Sequence, residues 1–210
     1  MKRIPVLATV LAGATLTLSL ALTVVSAGAA RADDPDSPDV GCGDGYTADA
    51  LSTHLHYRSA HWNIGADPDD GTLAVSAPRG WSFVRTPAGE GRFHDRIGND
   101  LLSLRTATEP GSTAELMAAA VRDLAGTSGL KILGQHTKSV PALGQRWSTL
   151  SYSYRTSMSE PRTVKVRWIA QGTDPAADAQ LVLTVAGRPM DAPGLDAMLA
   201  AVAPTVRLAG

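Results

Sequence analysis

Apolar side chains on every second position predict a domain rich in strands. In residues 72–77 the side chains on one face are Leu73, Val75 and Ala77. Residues 163–171 repeat the alternation, with Val164, Val166 and Trp168 on one face. Further strands are predicted at residues 82–86, 92–95, 101–106, 130–140, 146–155 and 181–186. The last of these is apolar on both faces, which indicates a central strand.

A Pro-Arg-Gly-Trp corner separates the first two strands of this series. Pro78 and Gly80 should turn the chain, because proline fixes its φ angle and glycine tolerates a left-handed backbone. We expect Trp81, directly after the corner, to close one end of the core. The preceding residues 51–66 remain ambiguous, since Leu51 and Leu55 have helical spacing while the following residues suit an extended chain.

Two amphipathic helices are predicted. The first begins at Ser112, with Glu115 completing a capping box, and ends at Gly126. Its buried stripe is Leu116, Ala120 and Leu124. The second begins at Asp191 and stops at Pro204. Its stripe is Leu195, Met198, Leu199 and Val202. Both stripes follow the helical period and should face the core.

This order of elements predicts an α+β domain, in which an internal and a C-terminal helix pack on a largely antiparallel sheet of about six or seven strands. The chain resembles the PsbP-like superfamily in its Pro78-Arg79-Gly80-Trp81 corner, which follows a turn that ends at Gly71. Within that superfamily it is most similar to the LpqN-like exported envelope proteins of actinobacteria. The resemblance covers residues 62–208. It implies an α/β/α layered sandwich that serves as a non-catalytic accessory or binding module, and it transfers no site residue.

The N-terminus has the features of an export signal. Met1-Lys2-Arg3 is basic, no charge follows until Arg31, and Ala30-Arg31-Ala32 fits a cleavage site. We therefore predict a signal peptide at residues 1–32, cleaved after Ala32, with an uncleaved membrane anchor as the alternative. Residues 33–60 are then an acidic tether rich in Pro and Gly, and residues 61–210 are the folded domain.

The cysteine count and the net charge argue against several structural and functional classes. Cys42 is the single cysteine, so an intramolecular disulfide is excluded. Many bacterial relatives implied by the resemblance are lipoproteins, but Asp39-Val40-Gly41 before Cys42 is not a lipobox. The net charge is −1 and no basic stripe is present, which argues against nucleic-acid binding. A membrane contact is expected only through an uncleaved leader, and the sequence indicates no oligomeric state.

No catalytic or metal-binding motif is present in the sequence. His54, His56 and His61 lack a partner at metal-ligand spacing, and the spacing of Asp34, Asp36 and Asp39 fits no calcium loop. We therefore expect no metal and no cofactor. The best candidates for catalysis are the adjacent pair His94 and Asp95, which should point to opposite faces of a strand, and the isolated base His136.

Two basic residues carry a local binding hypothesis. Lys165 and Arg167 alternate with the apolar face of residues 163–171, so they are expected to point outward. They would form a patch for an acidic partner such as anionic lipid or a cell-wall polymer, or alternatively an ordinary solvated sheet face. The sequence as a whole predicts an exported, non-catalytic binding module of the bacterial cell envelope whose partner is an unknown envelope protein or ligand. The alternative is a secreted hydrolase with scattered catalytic residues.

Overall fold

The computed structural model describes residues 49–65, 70–155 and 160–209. All of them belong to one compact unit. The strands are β1 (Tyr57–Asn63), β2 (Thr72–Pro78), β3 (Ser82–Arg85), β4 (Gly91–His94), β5 (Leu101–Thr106), β6 (Lys131–Val140), β7 (Gln145–Tyr154), β8 (Arg162–Gln171), β9 (Ala179–Gly187) and β10 (Arg207–Ala209). The α-helices are α1 (Thr113–Asp123) and α2 (Ala192–Val202).

These strands form two antiparallel sheets. The large sheet has seven strands in the order β3-β4-β5-β9-β8-β7-β6, which confirms the predicted sheet and places β9 at its centre. The small sheet has the order β1-β2-β10. It was not predicted, because the short strand β10 pairs with a strand far away in sequence and has no alternating pattern of its own.

The two helices pack on opposite faces of the large sheet, as predicted. Side chains of β9 show this, because Leu181, Leu183 and Val185 join the cluster that contains α2. The intervening Val182 and Ala186 join the cluster on the side of α1. The small sheet contributes to the first cluster through Trp62, Leu73 and Val75. The main core therefore lies between the large sheet, α2 and the small sheet.

The start of α1 follows the prediction and its end does not. The Ser112 hydroxyl accepts a hydrogen bond from the Glu115 backbone N–H at 3.3 Å, and the Glu115 carboxylate accepts one from the Ser112 N–H at 2.9 Å. The α-helix ends at Asp123, and a 3-10 turn continues to Gly126. The apolar stripe packs against the large sheet but stays only partly buried, so α1 forms the thinner outer layer.

Helix α2 buries the stripe that the sequence predicted. Leu195, Met198 and Val202 are fully inaccessible, and Leu199 is nearly so. Asp191 occupies the N-cap position that the sequence predicted, but its side chain makes no capping hydrogen bond to the helix. A carboxylate at this position is available to cap a helix, but here other groups of the fold occupy its oxygens.

Residues 51–60, assigned to the tether from the sequence, contribute to the folded domain. The Leu51 N–H donates to Asp191 Oδ1 at 2.9 Å, and Leu51 packs against the core. The ambiguous segment that follows becomes strand β1, which pairs with β2 along its whole length. An extended chain is favoured here because it lets Ala60 and Trp62 face the core together.

The Pro-Arg-Gly-Trp corner has the predicted architectural role. Gly80 adopts a left-handed backbone with φ of 81°, which few other residues tolerate. Trp81 is only 8% exposed and belongs to the main core cluster. The corner therefore anchors the first strands to the core.

Several predictions concern residues outside the described ranges. These are the signal peptide, most of the tether with Cys42, and most of the turn that ends at Gly71. No helix in the described part of the chain is long and apolar enough to cross a membrane.

Candidate functional site

Three aromatic rings form a cluster where the small sheet meets the large one. Trp62 lies on β1, Phe83 on β3 and Phe93 on β4. The ring centroid of Phe83 is 5.4 Å from that of Trp62 and 4.9 Å from that of Phe93. Trp62 and Phe93 are buried, whereas Phe83 is 40% exposed. One aromatic ring of a well-packed cluster therefore faces solvent.

Local features of the sequence hold this cluster in place. Phe83 and Phe93 are directly opposite in the β3–β4 pairing, so both rings lie on the same face of the sheet. A Cβ atom at Gly91 would collide with the Trp62 ring, so glycine permits the close approach. Trp62 Nε1 donates a buried hydrogen bond to the Gly89 carbonyl at 2.9 Å. The indole is thereby fixed and supports the exposed Phe83 ring.

A cleft of about 230 Å³ opens beside the cluster. Its lining residues are Arg58, Ser59, Ala60, His61, Phe83 and Phe93. Pockets for small molecules and cofactors commonly enclose about 300–1,000 Å³. The smaller volume of this cleft suits one inserted side chain better than a cofactor.

Two sheet edges border the cleft. Strand β1 is the edge of the small sheet, and β3 is the edge of the large sheet. All four residues of β3 are exposed. In the part of the chain that the structure describes, no further strand pairs with either edge. Such edges present unpaired backbone N–H and C=O groups, which can accept another strand.

The charge at the cleft is positive. Arg58 and His61 are exposed lining residues, and no acidic residue lines the cleft. The Arg58 side chain makes no hydrogen bond or ion pair with any other described residue. Two arginines on β3 and β4 differ from it, because Arg85 donates to the Gly65 carbonyl and Arg92 pairs with Glu90 at 2.7 Å. Arg58 is therefore the cation at this site that is available to a ligand.

The structure places Lys165 and Arg167 away from this cleft and corrects their predicted orientation. They do not point outward, because α2 covers this face of β8. Lys165 is 8% exposed and forms an ion pair with Asp196 of α2. The sequence pattern identified their face correctly, but it could not show that a second layer lies over it. A partner-binding role for these residues stays a prediction.

Arg167 is held by contacts within the domain. Its guanidinium lies 4.6 Å from the centroid of the Trp147 ring, and its Nε donates to Thr149 Oγ1 at 2.9 Å. Burial lowers the pKa of Arg167 to about 10, while nearby Asp196 opposes this change. The side chain remains charged at neutral pH, and stacking on an aromatic face is one of the ways a buried guanidinium is stabilised.

A buried charged cluster, missed in the sequence, lies at the N-terminus of α2. Asp191 is fully buried and Asp100 is 4% exposed. Arg188 Nη2 donates to the Asp49 carbonyl at 2.8 Å, in addition to its bonds with Asp191. Within the described residues Asp100 Oδ1 is buried without a hydrogen-bond partner. No signal in sequence could join these residues, since Asp100 and Asp191 are far apart along the chain.

The pKa values of the two carboxyl groups in this cluster are shifted in opposite directions. Burial, followed by the charges of Asp191 and Asp95, raises the pKa of Asp100 to about 7. Burial also acts to raise the pKa of Asp191, but hydrogen bonds from Arg188 and from the Leu51 backbone outweigh it and lower that pKa. One proton is thus favoured on Asp100 while Asp191 stays ionised. Their low exposure suits a structural role better than catalysis.

The candidate catalytic residues do not meet. His94 lies on the second strand of the large sheet and His136 on the seventh, and five strand spacings amount to roughly 24 Å. Asp95 Oδ1 accepts a hydrogen bond from the Asp100 N–H at 3.1 Å and serves the turn after β4. Among the described residues, no group of three or more His, Cys, Asp or Glu could hold a metal ion.

Comparisons with known proteins give structural neighbours only. No family model and no curated protein matches the sequence. LpqN of Mycobacterium tuberculosis, described as involved in cell envelope biogenesis, is 16% identical with a TM-score of 0.47, covering 74% of this chain and 92% of that chain. The Saccharomyces cerevisiae Ran-binding protein Mog1p is 9% identical with a TM-score of 0.50, covering 73% and 96%.

A third neighbour is cyanobacterial PsbP (CyanoP) from Synechocystis, 14% identical with a TM-score of 0.46, covering 80% of this chain and 98% of that chain. At these identities the likeness concerns the fold alone and assigns no activity or partner. The chain is similar in fold to Mog1p, and LpqN and cyanobacterial PsbP, to which the resemblance in the sequence pointed, are among the structures found.

Proposed function

We propose that this protein is an exported, non-catalytic binding module of the bacterial cell envelope, and that the cleft between β1 and β3 is its binding surface. The observation that carries the proposal is the exposed ring of Phe83, which is 40% accessible although it packs on Trp62 and Phe93. An aromatic side chain held rigidly at the surface is typical of residues that dominate binding energy, because little conformational entropy is lost on contact.

Export is supported by the leader in the sequence. Its basic start, its long uncharged stretch and the Ala30-Arg31-Ala32 site are the parts of a signal peptide. The intact mass of the protein recovered from outside the cytoplasm tests this directly. A mass that begins at Asp33 supports cleavage, whereas a mass that includes Met1 shows that the leader remains as an anchor. The same spectrum reports any lipid on Cys42.

Site-specific photo-crosslinking tests the binding surface. A photoreactive phenylalanine analogue is placed at position 83, or at position 133 as a control, in cells that produce the full chain. Leu133 is 49% exposed but lies on β6, at the opposite edge of the large sheet. We expect a reproducible partner at position 83 only, whose purified form binds the protein and loses affinity on Phe83→Ala. Equal crosslinking at both positions, or none, contradicts the proposal.

A further inference from the structure

The free edge of β1 runs along the cleft. Residues 58–61 of β1 line it, and no residue of β2, the strand paired with β1, does so. The cleft therefore lies on the side of β1 that β2 leaves open. Strand β1 has seven residues, whereas β3 on the opposite wall has four. An incoming strand would find its longer template on β1.

The shape of the cleft selects an occupant with one apolar side chain. Its floor is Phe93, which is 1% exposed, and one wall is the accessible Phe83 ring. A volume of about 230 Å³ accommodates an aromatic or large aliphatic side chain beside these rings. Side chains of a strand alternate between faces, so a bound strand would insert every second residue and expose the others.

The charge selects an acidic occupant. The Arg58 side chain lines the cleft and has no partner among the described residues, which also contribute no carboxylate to the lining. His61 is a further exposed lining residue. An arginine binds a carboxylate through two parallel hydrogen bonds, which adds orientation as well as attraction. A single available guanidinium does not form the extended basic surface that a nucleic acid needs.

We infer that the cleft binds an extended acidic segment of another protein, which pairs with the free edge of β1, inserts an apolar side chain against Phe83 and places a carboxylate at Arg58. This inference rests on the proposed function and adds the chemistry of the partner. Three observations support it: the edge of β1 that no other described strand pairs with, the exposed ring in a cleft of side-chain size, and the arginine whose side chain has no partner among the described residues.

Peptide probes test the inference by fluorescence anisotropy with the purified full chain after export. The probe is a fluorescein-labelled peptide in which Phe and Glu are two positions apart with Ser between them, so that both side chains lie on the face that meets Phe83 and Arg58. Its matched control has Lys in place of Glu. We expect the acidic peptide to bind at least about tenfold more tightly, because the like charge of the control opposes Arg58. Two further acidic peptides carry methyl groups on alternate backbone nitrogens, one at the odd positions and one at the even positions. A paired strand uses one of these two sets of N–H groups, so at least one of the two peptides should lose binding.

Variants with matched controls locate the bound peptide. Phe83→Ala should weaken binding about tenfold, and Val84→Ala, on the opposite face of β3, should not. Arg58→Glu should weaken binding about tenfold, whereas Arg122→Glu, the same charge change on α1, should not. Circular dichroism and thermal melting check that each variant is folded. These differences also separate cleft binding from general attraction between charges.

The outcomes distinguish this inference from the proposed function. Equal binding of the acidic and basic peptides, or equal effects of Arg58→Glu and Arg122→Glu, overturns the acidic occupant. Unchanged binding of both methylated peptides overturns strand pairing. If position 83 captures a partner in cells while no acidic segment of that partner binds the cleft, the inference fails and the binding module stands. If position 83 captures nothing, the proposed function itself fails.

Discussion

Arg188 holds Asp191 with two side-chain nitrogens, Nε at 3.0 Å from Oδ2 and Nη2 at 3.0 Å from Oδ1. The same carboxylate accepts the Leu51 N–H, and the same guanidinium donates to the Asp49 carbonyl. This pair therefore joins the start of α2 to the first described residues of the domain. It explains why Asp191 does not cap the helix that follows it.

Removal of this carboxylate should destabilise the domain. Asp191→Ala leaves the Arg188 guanidinium and the Leu51 N–H without their acceptor in a buried place, and the loss of one partner of such a pair costs roughly 3–5 kcal/mol. Urea unfolding followed by tryptophan fluorescence measures it. The control is Glu90→Ala, which breaks the more exposed pair with Arg92 and should cost no more than about 1 kcal/mol. Similar losses for both variants would contradict a special role for Asp191.

The free energy of unfolding should fall as pH rises from 5 to 8, because Asp100 loses its proton in the folded protein over this range. The pKa of Asp100 is raised to about 7 in the folded protein from an ordinary value of 3.8, so the folded state binds the extra proton between these values. That contribution is complete below the unfolded pKa and is lost as pH rises through the folded pKa. The lowered pKa of Asp191 acts in the opposite sense, but in more acidic solution, where its stabilisation is lost on protonation.

The variant Asp100→Asn tests this assignment, because an amide is neutral at every pH. Its free energy of unfolding, measured by urea titration at several pH values, should vary less between pH 5 and 8 than that of the parent protein. Asp123→Asn is a suitable control, since this carboxylate is exposed at the end of α1. An unchanged pH profile for Asp100→Asn would show that another group is responsible.

Trp81 and Phe83 should have separate effects. Trp81 is 8% exposed, so Trp81→Ala should lower the free energy of unfolding by roughly 3–5 kcal/mol through lost burial and a new cavity. Phe83 is 40% exposed, and Phe83→Ala should cost less stability while it weakens binding. Thermal and urea unfolding of both variants, beside the peptide assay, measures the contrast. A fully stable Trp81→Ala variant would return the corner to consideration as a binding loop.

A side chain at Gly91 should disturb the aromatic cluster. In Gly91→Ala the new methyl group overlaps the Trp62 ring, and such overpacking typically costs about 1–3 kcal/mol. The control is Gly126→Ala, because no atom lies within 4 Å of its added Cβ. Urea unfolding measures stability, and near-ultraviolet circular dichroism reports the Trp62 environment. Equal stability of the two variants would show that the ring can move aside freely.

Charge reversal on β8 should destabilise the domain. Lys165→Glu with Arg167→Glu places one carboxylate beside Asp196 and removes one of the two cations that lie over Trp147. A loss of at least about 3 kcal/mol is expected for buried charges left without partners. Urea unfolding measures it, together with sedimentation of the protein with anionic lipid vesicles. A variant as stable as the parent that no longer binds such vesicles would favour the outward patch predicted from the sequence.

The sequence by itself determined most of the elements and the faces they bury, though not β1 or β10. Three features depend only on neighbours within a few residues: the alternation around Val75, the Ser112–Glu115 capping box and the stripe through Leu195. The local sequence is therefore enough to predict them. The same holds for the fold class, because this order of strands and helices admits few layered arrangements.

Tertiary structure decided which of these faces meet. Leu51 and Asp191 form a hydrogen bond although they are 140 positions apart, and this bond takes the carboxylate away from helix capping. Lys165 follows the strand alternation, but helix α2 covers it. The alternation shows which residues share a face of the sheet and does not show what packs on that face. The cleft arises where β1 and β3, edges of two different sheets, come together. Such contacts depend on the path of the whole chain, whereas a local pattern records only the residues beside it.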